Sequence, residues 1–308
     1  MATPSGYKYT DIVFEIRGQI GMIKFNRPKS LNSLGGNLRM DILTALRELN
    51  EHPDTVFTVI TGEGRFFCSG ADVLAEGKQT PVSYPSPAAK KVAYMARFSE
   101  GIMFEYAFLP ASRSHHTAVE LMRSMINHKK VLVVALNGPA VGAGAAWFPP
   151  VADILLASTS SYLQTPFSQL GLVPEFGSAI HFASSTGVHR SNDFFMFGRK
   201  CSVEELAQWG IVNRVFPVTN FHQNVQAFLE EQLRVNDGKS MMEVKRLQNG
   251  PLRDQRLLAV HEAADALAER FVEDAPTKRF QQQRDMLRGE FALKHCPMQF
   301  TIRKLTDQ

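Results

Sequence analysis

The chain is constrained most by residues 131–147, whose sequence is VLVVALNGPAVGAGAAW. The continuous apolar run 131–135 predicts a strand that is buried on both faces. After an Asn-Gly-Pro turn, the small residues 142–146 predict the start of a helix, where backbone N–H groups lack partners. Because these side chains are so small, a ligand oxygen could reach the N–H groups directly. A tight packing contact between strand and helix explains the pattern equally well.

A second strand followed by a glycine-rich turn occurs earlier in the chain. Residues 55–60 predict another strand, and residues 61–72 after it are rich in glycine. If the two strands are neighbours in a sheet, both turns open at the same edge, and the N–H groups of Ala71 and Ala143 could converge on one oxygen. Two such donors are what an enolate or a tetrahedral oxyanion requires. Neither turn is followed by the Gly-Lys-Ser/Thr pattern of a phosphate-binding loop.

The remaining periodicities predict an α/β protein with a strand-rich first half and a helical second half. Further predicted strands are residues 11–17, 20–25, 154–157 and 162–164. Predicted helices are residues 38–49, 90–108, 118–126, 178–186, 191–197 and 203–209, with more helix from residue 221 onward. A hairpin is predicted at residues 18–19, and Ser202 is the predicted N-cap of the helix 203–209. The proline-bearing segment 77–89 is predicted to be a loop.

Composition and charge argue against several classes of protein. The 308 residues carry 34 basic and 30 acidic side chains, and the net charge of +4 gives no nucleic-acid signature. No apolar run reaches the roughly 20 residues of a membrane-spanning helix, and the N-terminus lacks the apolar core of a signal peptide. Cys68, Cys201 and Cys296 fit no disulfide framework or metal site, which favours a reducing, intracellular environment.

Several motifs occur in an order that resembles the crotonase (enoyl-CoA hydratase/isomerase) superfamily. The two glycine turns, RFFCSGAD at 65–72 and NGPAVGAG at 137–144, carry most of the resemblance. Further similar segments are NRPKSLNSL at 26–34, ADI at 152–154, QLGLVPE at 169–175 and WGIVNRVF at 209–216. The resemblance extends over residues 10–285.

The resemblance to this superfamily implies a fold, an assembly and a substrate. The implied fold is a crotonase-like spiral of strand–strand–helix turns over residues 1–217, with a helical trimerisation region and tail over residues 218–308. The implied assembly is a homotrimer or a hexamer. The implied substrate is an acyl-CoA thioester whose carbonyl lies between the N–H groups of Ala71 and Ala143. No cofactor is implied, since CoA is part of the substrate, and neither a metal nor a nucleic-acid partner is expected.

Substrate-binding residues are implied along the first glycine turn and beside the second. The implied residues are Ser69, Gly70, Ala71, Asp72, Val73 and Ala143. Lys29 is a candidate for a contact with a CoA phosphate, although a solvated lysine in a turn explains it nearly as well. Phe104, Phe108 and Trp147 could line the acyl pocket, but aromatic residues at helical spacing are more often part of a core.

Hydratases of this superfamily activate water with two glutamates, and both are missing here. The matching positions hold Ala146 and Phe167, which cannot activate water. Glu175 remains, and it resembles the single catalytic glutamate of peroxisomal-type Δ3,Δ2-enoyl-CoA isomerases. Alternatively, Glu175 is an acid near the start of the helix 178–186, where the helix dipole favours negative charge. The empty hydratase positions favour the catalytic interpretation.

The sequence therefore predicts an isomerase that moves the double bond of a 3-enoyl-CoA to the 2-trans position in the breakdown of unsaturated fatty acids. Glu175 would transfer the proton, and Ala71 and Ala143 would bind the enolate oxygen. Two alternatives stay open: another acyl-CoA reaction of the hydratase, hydrolase or decarboxylase type, and a non-catalytic CoA-binding role. The resemblance implies a peroxisomal location, but the C-terminus carries no Ser-Lys-Leu type of signal, and the cytoplasm is the alternative.

Two features depart from the superfamily pattern. Prolines at 149–150 lie where the family continues a helix, so the helix after the second glycine turn is predicted to end near Phe148 or to bulge. Phe176 follows the candidate base where a smaller residue is common, and we expect it to narrow the pocket. Cys68 and Asp153 are predicted to have structural rather than reactive roles.

Overall fold

The computed structural model describes residues 7–72, 83–104 and 116–287, and within these ranges the fold is built from nine strands and eleven α-helices. The strands are β1 (Ile12–Arg17), β2 (Ile20–Phe25), β3 (Phe57–Gly62), β4 (Val131–Leu136), β5 (Ala140–Val141), β6 (Ile154–Ser158), β7 (Tyr162–Gln164), β8 (Cys201–Ser202) and β9 (Arg214–Phe216). The helices are α1 (Leu38–Glu51), α2 (Pro87–Phe104), α3 (His116–Ile126), α4 (Ala143–Trp147), α5 (Ser178–Thr186), α6 (Val188–Phe197), α7 (Val203–Gln208), α8 (Phe221–Val235), α9 (Gly238–Asn249), α10 (Arg253–Val272) and α11 (Ala275–Leu287).

Six strands form the main sheet in the order β1-β2-β3-β4-β6-β9. The predicted hairpin is confirmed, because β1 and β2 pair antiparallel, and every other pair in this sheet is parallel. A smaller sheet has the order β5-β7-β8. The main sheet therefore brings the carboxyl ends of β3 and β4, each followed by a glycine turn, to one edge.

Strand β4 is buried along its whole length, as its unbroken apolar run predicts. Leu132, Val134 and Leu136 belong to the larger hydrophobic core. The alternate residues, Val131 and Val133 among them, belong to a second core on the opposite face of the sheet. Since both faces are covered, neither set of side chains can be polar, and the sequence shows no alternation.

Two helices cover the two faces of the main sheet. Helix α1 contributes Leu38, Ile42 and Leu46, spaced four residues apart, to the larger core. Helix α8 contributes Phe221 and Val225, also four residues apart, to the second core. The amphipathic spacing of each helix thus matches the face of the sheet on which it packs.

Prolines lie at two helix boundaries, one predicted from the sequence and one shifted from its predicted position. Helix α4 ends at Trp147, and a 3-10 turn over Pro149–Val151 follows it, which confirms the prediction of a helix end near Phe148. Helix α2 begins at Pro87 rather than at residue 90, because proline is well suited to the first turn of a helix, where its missing N–H costs nothing. Residues 77–82 of the predicted loop lie outside the described residues.

The C-terminal helices pack back onto the first part of the chain. Helix α10 contacts α2 and the 3-10 turn Glu175–Gly177, and α11 contacts the 3-10 turn Ser168–Leu170. None of the helices in the described ranges has both the length and the apolarity of a membrane-spanning segment. The domain boundary after residue 217 stays a prediction.

Asp153 anchors the amino-terminal edge of the main sheet to the C-terminal helices. Its carboxylate accepts hydrogen bonds from the backbone N–H of Leu132 (2.7 Å) and from Asn249 (2.9 Å), and it pairs with the Lys245 ammonium at 2.7 Å. The Lys245 side chain is only 8% exposed, and its burial lowers the pKa of the ammonium. Asp153 is therefore a structural counter-ion, in the role predicted for it.

Replacing Asp153 by Ala is expected to lower the free energy of unfolding by about 3–5 kcal/mol, because Lys245 would stay buried without its counter-ion. Urea unfolding followed by circular dichroism measures this loss. The matched control is Glu51→Ala, which removes the partner of the exposed Lys129 (2.9 Å) and should change stability little. Equal effects of the two substitutions would contradict the structural role of Asp153.

Buried His128 should make the fold sensitive to mild acid. Its Nε2 lies 2.7 Å from Thr58 Oγ1, and burial, with nearby Lys245 and Lys130, lowers its pKa from 6.5 to about 3. Between these two values the unfolded chain binds a proton that the folded chain does not. The histidine therefore has no destabilising effect above about pH 6.5, and stability falls as the pH drops below that value.

From pH 6.5 to pH 5 this single group should cost about 2 kcal/mol of stability. Unfolding curves recorded at both pH values test this, and His128→Asn should have a shallower pH dependence than the parent protein. The control His189→Asn changes an exposed histidine and should leave the dependence unaltered. A parent-like slope in His128→Asn would refute the assignment.

Candidate active site

The two predicted glycine turns lie side by side. Strands β3 and β4 are parallel neighbours, with Ile60 opposite Val134. Beyond the strands the segments stay together through a parallel bridge between Cys68 and Ala140, where Val141 N–H donates to the Cys68 carbonyl at 2.9 Å. Three residues after this bridge, the two segments reach Ala71 and Ala143.

Gly70 lies directly against the second turn. Its φ is +88°, a left-handed conformation that favours glycine. A Cβ at Gly70 would lie 2.8 Å from the Val141 carbonyl oxygen and 3.2 Å from the Ala143 nitrogen. The two turns therefore touch, and a larger residue at position 70 would separate them.

The N–H groups of Ala71 and Ala143 take no part in the backbone hydrogen bonding of the described residues. Within the described residues, neither donates a hydrogen bond to a backbone carbonyl. Ala143 is the first residue of α4, where an N–H has no partner inside the helix, and Ala71 is exposed on the first turn. The pair predicted to bind an oxyanion consists of available donors at one edge of the sheet.

Two buried asparagines from the recognised motifs hold the loop that leads to the first turn. Asn32 Nδ2 donates to the Phe66 carbonyl at 2.8 Å, and Asn137 Nδ2 contacts the same oxygen at 3.3 Å. Asn137 Oδ1 also accepts the N–H of Gly62 at 3.0 Å. Buried backbone groups without a partner are costly, so these amides stabilise an otherwise irregular loop.

The first turn rests on the segment that contains Lys29. Ser69 N–H donates to the Leu31 carbonyl at 3.0 Å, and Leu34 N–H donates to the Gly70 carbonyl at 2.8 Å. Lys29 itself is exposed in the 3-10 turn Pro28–Ser30, next to this contact. Val73, also predicted to border the substrate, lies outside the described residues.

Asp72 takes part in an ion pair that the sequence did not predict. Arg27 donates to Asp72 Oδ2 at 3.1 Å, and Ser33 Oγ donates to the same oxygen at 3.1 Å. A Cβ at Gly35 would lie 2.3 Å from that oxygen, so the backbone encloses the carboxylate closely. Asp72 therefore ties the first turn to residues 27–35. Arg27 belongs to the NRP motif, but nothing in its spacing identifies its partner.

Glu175 lies in the 3-10 turn Glu175–Gly177, which contacts α4. It is half-buried, and its Oε2 accepts a hydrogen bond from Trp147 Nε1 at 3.1 Å. It does not cap α5, whose N-cap is Gly177 with no side-chain hydrogen bond. The carboxylate is therefore directed to the helix that carries Ala143 rather than to the helix that follows it.

The hydratase positions are apolar and buried. Ala146 is completely buried in α4, and Phe167 is 3% exposed and stacks on Phe195 with ring centroids 6.3 Å apart. Neither side chain can supply a carboxylate or form a hydrogen bond to a water molecule. Phe176 packs edge-on against Trp147, with ring centroids 4.9 Å apart. Its effect on the width of the pocket stays a prediction.

Cys68 is buried beside the first turn, and this burial raises the pKa of its thiol to about 12. A thiol with so high a pKa carries almost no thiolate at neutral pH and is a poor nucleophile. The described residues contain no group of three or more His, Cys, Asp or Glu side chains that could bind a metal ion.

The chain belongs to the enoyl-CoA hydratase/isomerase family, whose model matches residues 15–93 and 98–286. It is 31% identical over 202 residues to a Delta(3,5)-Delta(2,4)-dienoyl-CoA isomerase of Pyricularia oryzae, covering 66% of this chain and 67% of that one. It is 27% identical over 285 residues to a 3,2-trans-enoyl-CoA isomerase of Saccharomyces cerevisiae, covering 88% and 93%.

The fold agrees with this membership. The crystal structure of an enoyl-CoA hydratase/isomerase from Pseudoalteromonas atlantica superimposes with a TM-score of 0.73 at 20% sequence identity. The match covers 93% of this chain and 100% of that one. The crotonase-like α/β fold with a helical C-terminal region is thereby confirmed.

Gly70→Ala should destabilise the protein more than a glycine substitution at the same backbone angle in open space. Gly210 has a φ of +80° with nothing within 4 Å of an added Cβ, so Gly210→Ala should cost only the backbone strain, about 1–3 kcal/mol. Gly70→Ala adds the clash with Val141, a further ~1–3 kcal/mol. Urea unfolding of both variants measures the difference, and equal losses would mean that the two turns are not in contact.

Proposed function

We propose that this protein is an isomerase that converts 3-enoyl-CoA thioesters to 2-trans-enoyl-CoA thioesters. The observation that carries the proposal is the placement of one carboxylate, Glu175, against the helix that begins at Ala143, while Ala146 and Phe167 are apolar. A double-bond shift needs one base and an oxyanion site but no activated water. The names of the relatives, which are isomerases of unsaturated acyl-CoA thioesters, support the same reaction class.

The thioester oxygen is proposed to bind between the N–H groups of Ala71 and Ala143. These donors stabilise the negative charge that develops when a proton leaves C2 of the substrate, and removing such a donor typically costs about 3–4 kcal/mol of transition-state stabilisation. Because both donors belong to the backbone, they stay fixed throughout the reaction. Ser69, Gly70 and Asp72 support this edge.

Glu175 is proposed to remove the proton from C2, which the carbonyl and the double bond both acidify. The resulting dienolate returns to a thioester when the same carboxyl group delivers the proton to C4, which leaves the double bond between C2 and C3. One carboxylate can serve both carbons because they are separated by a single atom. The reaction gains and loses no water and transfers no electrons to a carrier, so it needs no cofactor.

A second candidate substrate is a 3,5-dienoyl-CoA, because a relative is named for that reaction. In that case the proton must be delivered at C6, two bonds beyond C4, and a second acid near C6 would be required. The two positions at which hydratases of the family carry acids hold Ala146 and Phe167 here, both apolar, so neither could supply it. The apolar side chains at these two positions therefore favour the 3-enoyl substrate.

Glu175→Gln should lower kcat/KM for a 3-enoyl-CoA by about 100- to 10,000-fold, because the amide cannot accept the C2 proton. The measurement is the absorbance of the conjugated thioester. Glu262→Gln, an isosteric change on the exposed surface of α10, is the control and should leave the rate unchanged. Essentially unchanged activity in Glu175→Gln would refute the proposal.

The parent protein also separates the alternatives in this assay. Turnover of the 3,5-dienoyl substrate with none of the 3-enoyl substrate would favour the second candidate. Turnover of another thioester alone would favour a different acyl-CoA reaction. Binding of acyl-CoA without any turnover would favour a non-catalytic member of the family.

Three further properties are proposed from the resemblance. Lys29 is exposed beside the first turn and is proposed to contact a phosphate of CoA as a point charge. The assembly is proposed to be a homotrimer or a hexamer, which light scattering after size exclusion would measure. Residence in the peroxisome, with the cytoplasm as the alternative, is testable by fluorescence microscopy of the tagged full chain.

A further inference from the structure

Trp147 joins the two parts of the candidate site. Its indole Nε1 donates to Glu175 Oε2 at 3.1 Å, and its ring meets Phe176 edge-on, with centroids 4.9 Å apart and planes at 87°. The side chain is 4% exposed. One residue thus bonds to the candidate base and packs against the residue that follows the base.

The backbone of Trp147 is held firmly in place. Helix α4 carries Ala143 at its start and Trp147 at its end, four residues later, which is about 6 Å along the axis. A Cβ at Gly144 would lie 2.7 Å from Cys68, so the helix packs directly on the first glycine turn. The 3-10 turn starting at Pro149 terminates the helix. The oxyanion donor and the indole donor therefore belong to one short, clamped element.

The turn that carries Glu175 is constrained from the other side. Phe176 has a φ of +48°, which is uncommon for a bulky residue and persists only where the surroundings hold it. A Cβ at Gly177 would lie 3.1 Å from backbone atoms of Ala259 and Val260 in α10. Helix α10 thus packs against this turn at Gly177, and the indole of Trp147 contacts it at Glu175 and Phe176.

We propose that Trp147 is a positioning residue that fixes the Glu175 carboxylate relative to the oxyanion donor Ala143. This inference rests on the proposed function, in which Glu175 is the base. An indole N–H only donates hydrogen bonds, and it keeps its proton throughout the neutral pH range. It can therefore orient the carboxylate and favour the ionised form that accepts the C2 proton, without competing for that proton.

The test is Trp147→Phe, which keeps an aromatic ring against Phe176 and removes the N–H. We expect kcat to fall about ten- to a hundredfold, the range expected for losing one hydrogen bond to a charged group, with KM changed less than about twofold. The acid limb of the pH profile of kcat/KM should move to higher pH. The matched control is Trp209→Phe, since Trp209 is the other of the two tryptophans and packs on Phe182.

A spectroscopic measurement tests the same contact in a protein that keeps Trp147. In the Trp209→Phe variant, Trp147 is the sole tryptophan, and its emission should follow the protonation of Glu175 as pH is lowered. Adding Glu175→Gln should abolish that transition. This emission measurement decides the proposal if the Trp147→Phe variant does not fold.

The outcomes separate the two proposals. Parent-like kcat and pH profile in Trp147→Phe, with an inactive Glu175→Gln, would overturn the role of Trp147 alone and leave the proposed function standing. The role of Trp147 would likewise be overturned if the tryptophan emission of the single-tryptophan protein changed with pH in the same way with and without Glu175. Full activity of Glu175→Gln would overturn the proposed function and the role of Trp147 together.

Discussion

Strands β3 and β4 pair in parallel, with their hydrogen-bonded ladder buried between two hydrophobic cores. Parallel strands end at the same edge, so the chain must leave both of them on one side of the sheet. The bridge between Cys68 and Ala140 continues this pairing past the strand ends. The juxtaposition of Ala71 with Ala143 depends on that register, because each alanine lies three residues after one member of the Cys68–Ala140 bridge.

Polar groups around the turns serve to hold irregular backbone where water is excluded. Asn32 and Asn137 satisfy the Phe66 carbonyl, and Arg27 with Ser33 satisfies Asp72. Each of these side chains has a structural partner in the described residues, so the motif residues that look most reactive in the sequence act mainly as supports. The proposed chemistry uses backbone N–H groups and the carboxylate of Glu175.

Much of the candidate site could be predicted because it consists of backbone N–H groups and of positions where an acidic side chain is missing. The prediction of the two alanines needed only a strand and a glycine turn before each of them. The family resemblance then marked Ala146 and Phe167 as the positions where hydratases carry acids. The contact between Trp147 and Glu175 could not be predicted, since 28 residues separate them and the indole also fits an apolar pocket. The partner of Asp72 was missed for the same reason, because Arg27 lies 45 residues away.

The sequence alone determined the buried strands and the glycine turns, because these follow from apolar periodicity and local backbone freedom, and the family resemblance singled out the carboxylate of Glu175. Tertiary structure decided where that carboxylate points. The direction of Glu175 is set by the indole of Trp147 on one side, and Ala259 and Val260 of α10 support its turn on the other. Such packing joins segments distant in the chain, and no local pattern encodes which distant segments will meet.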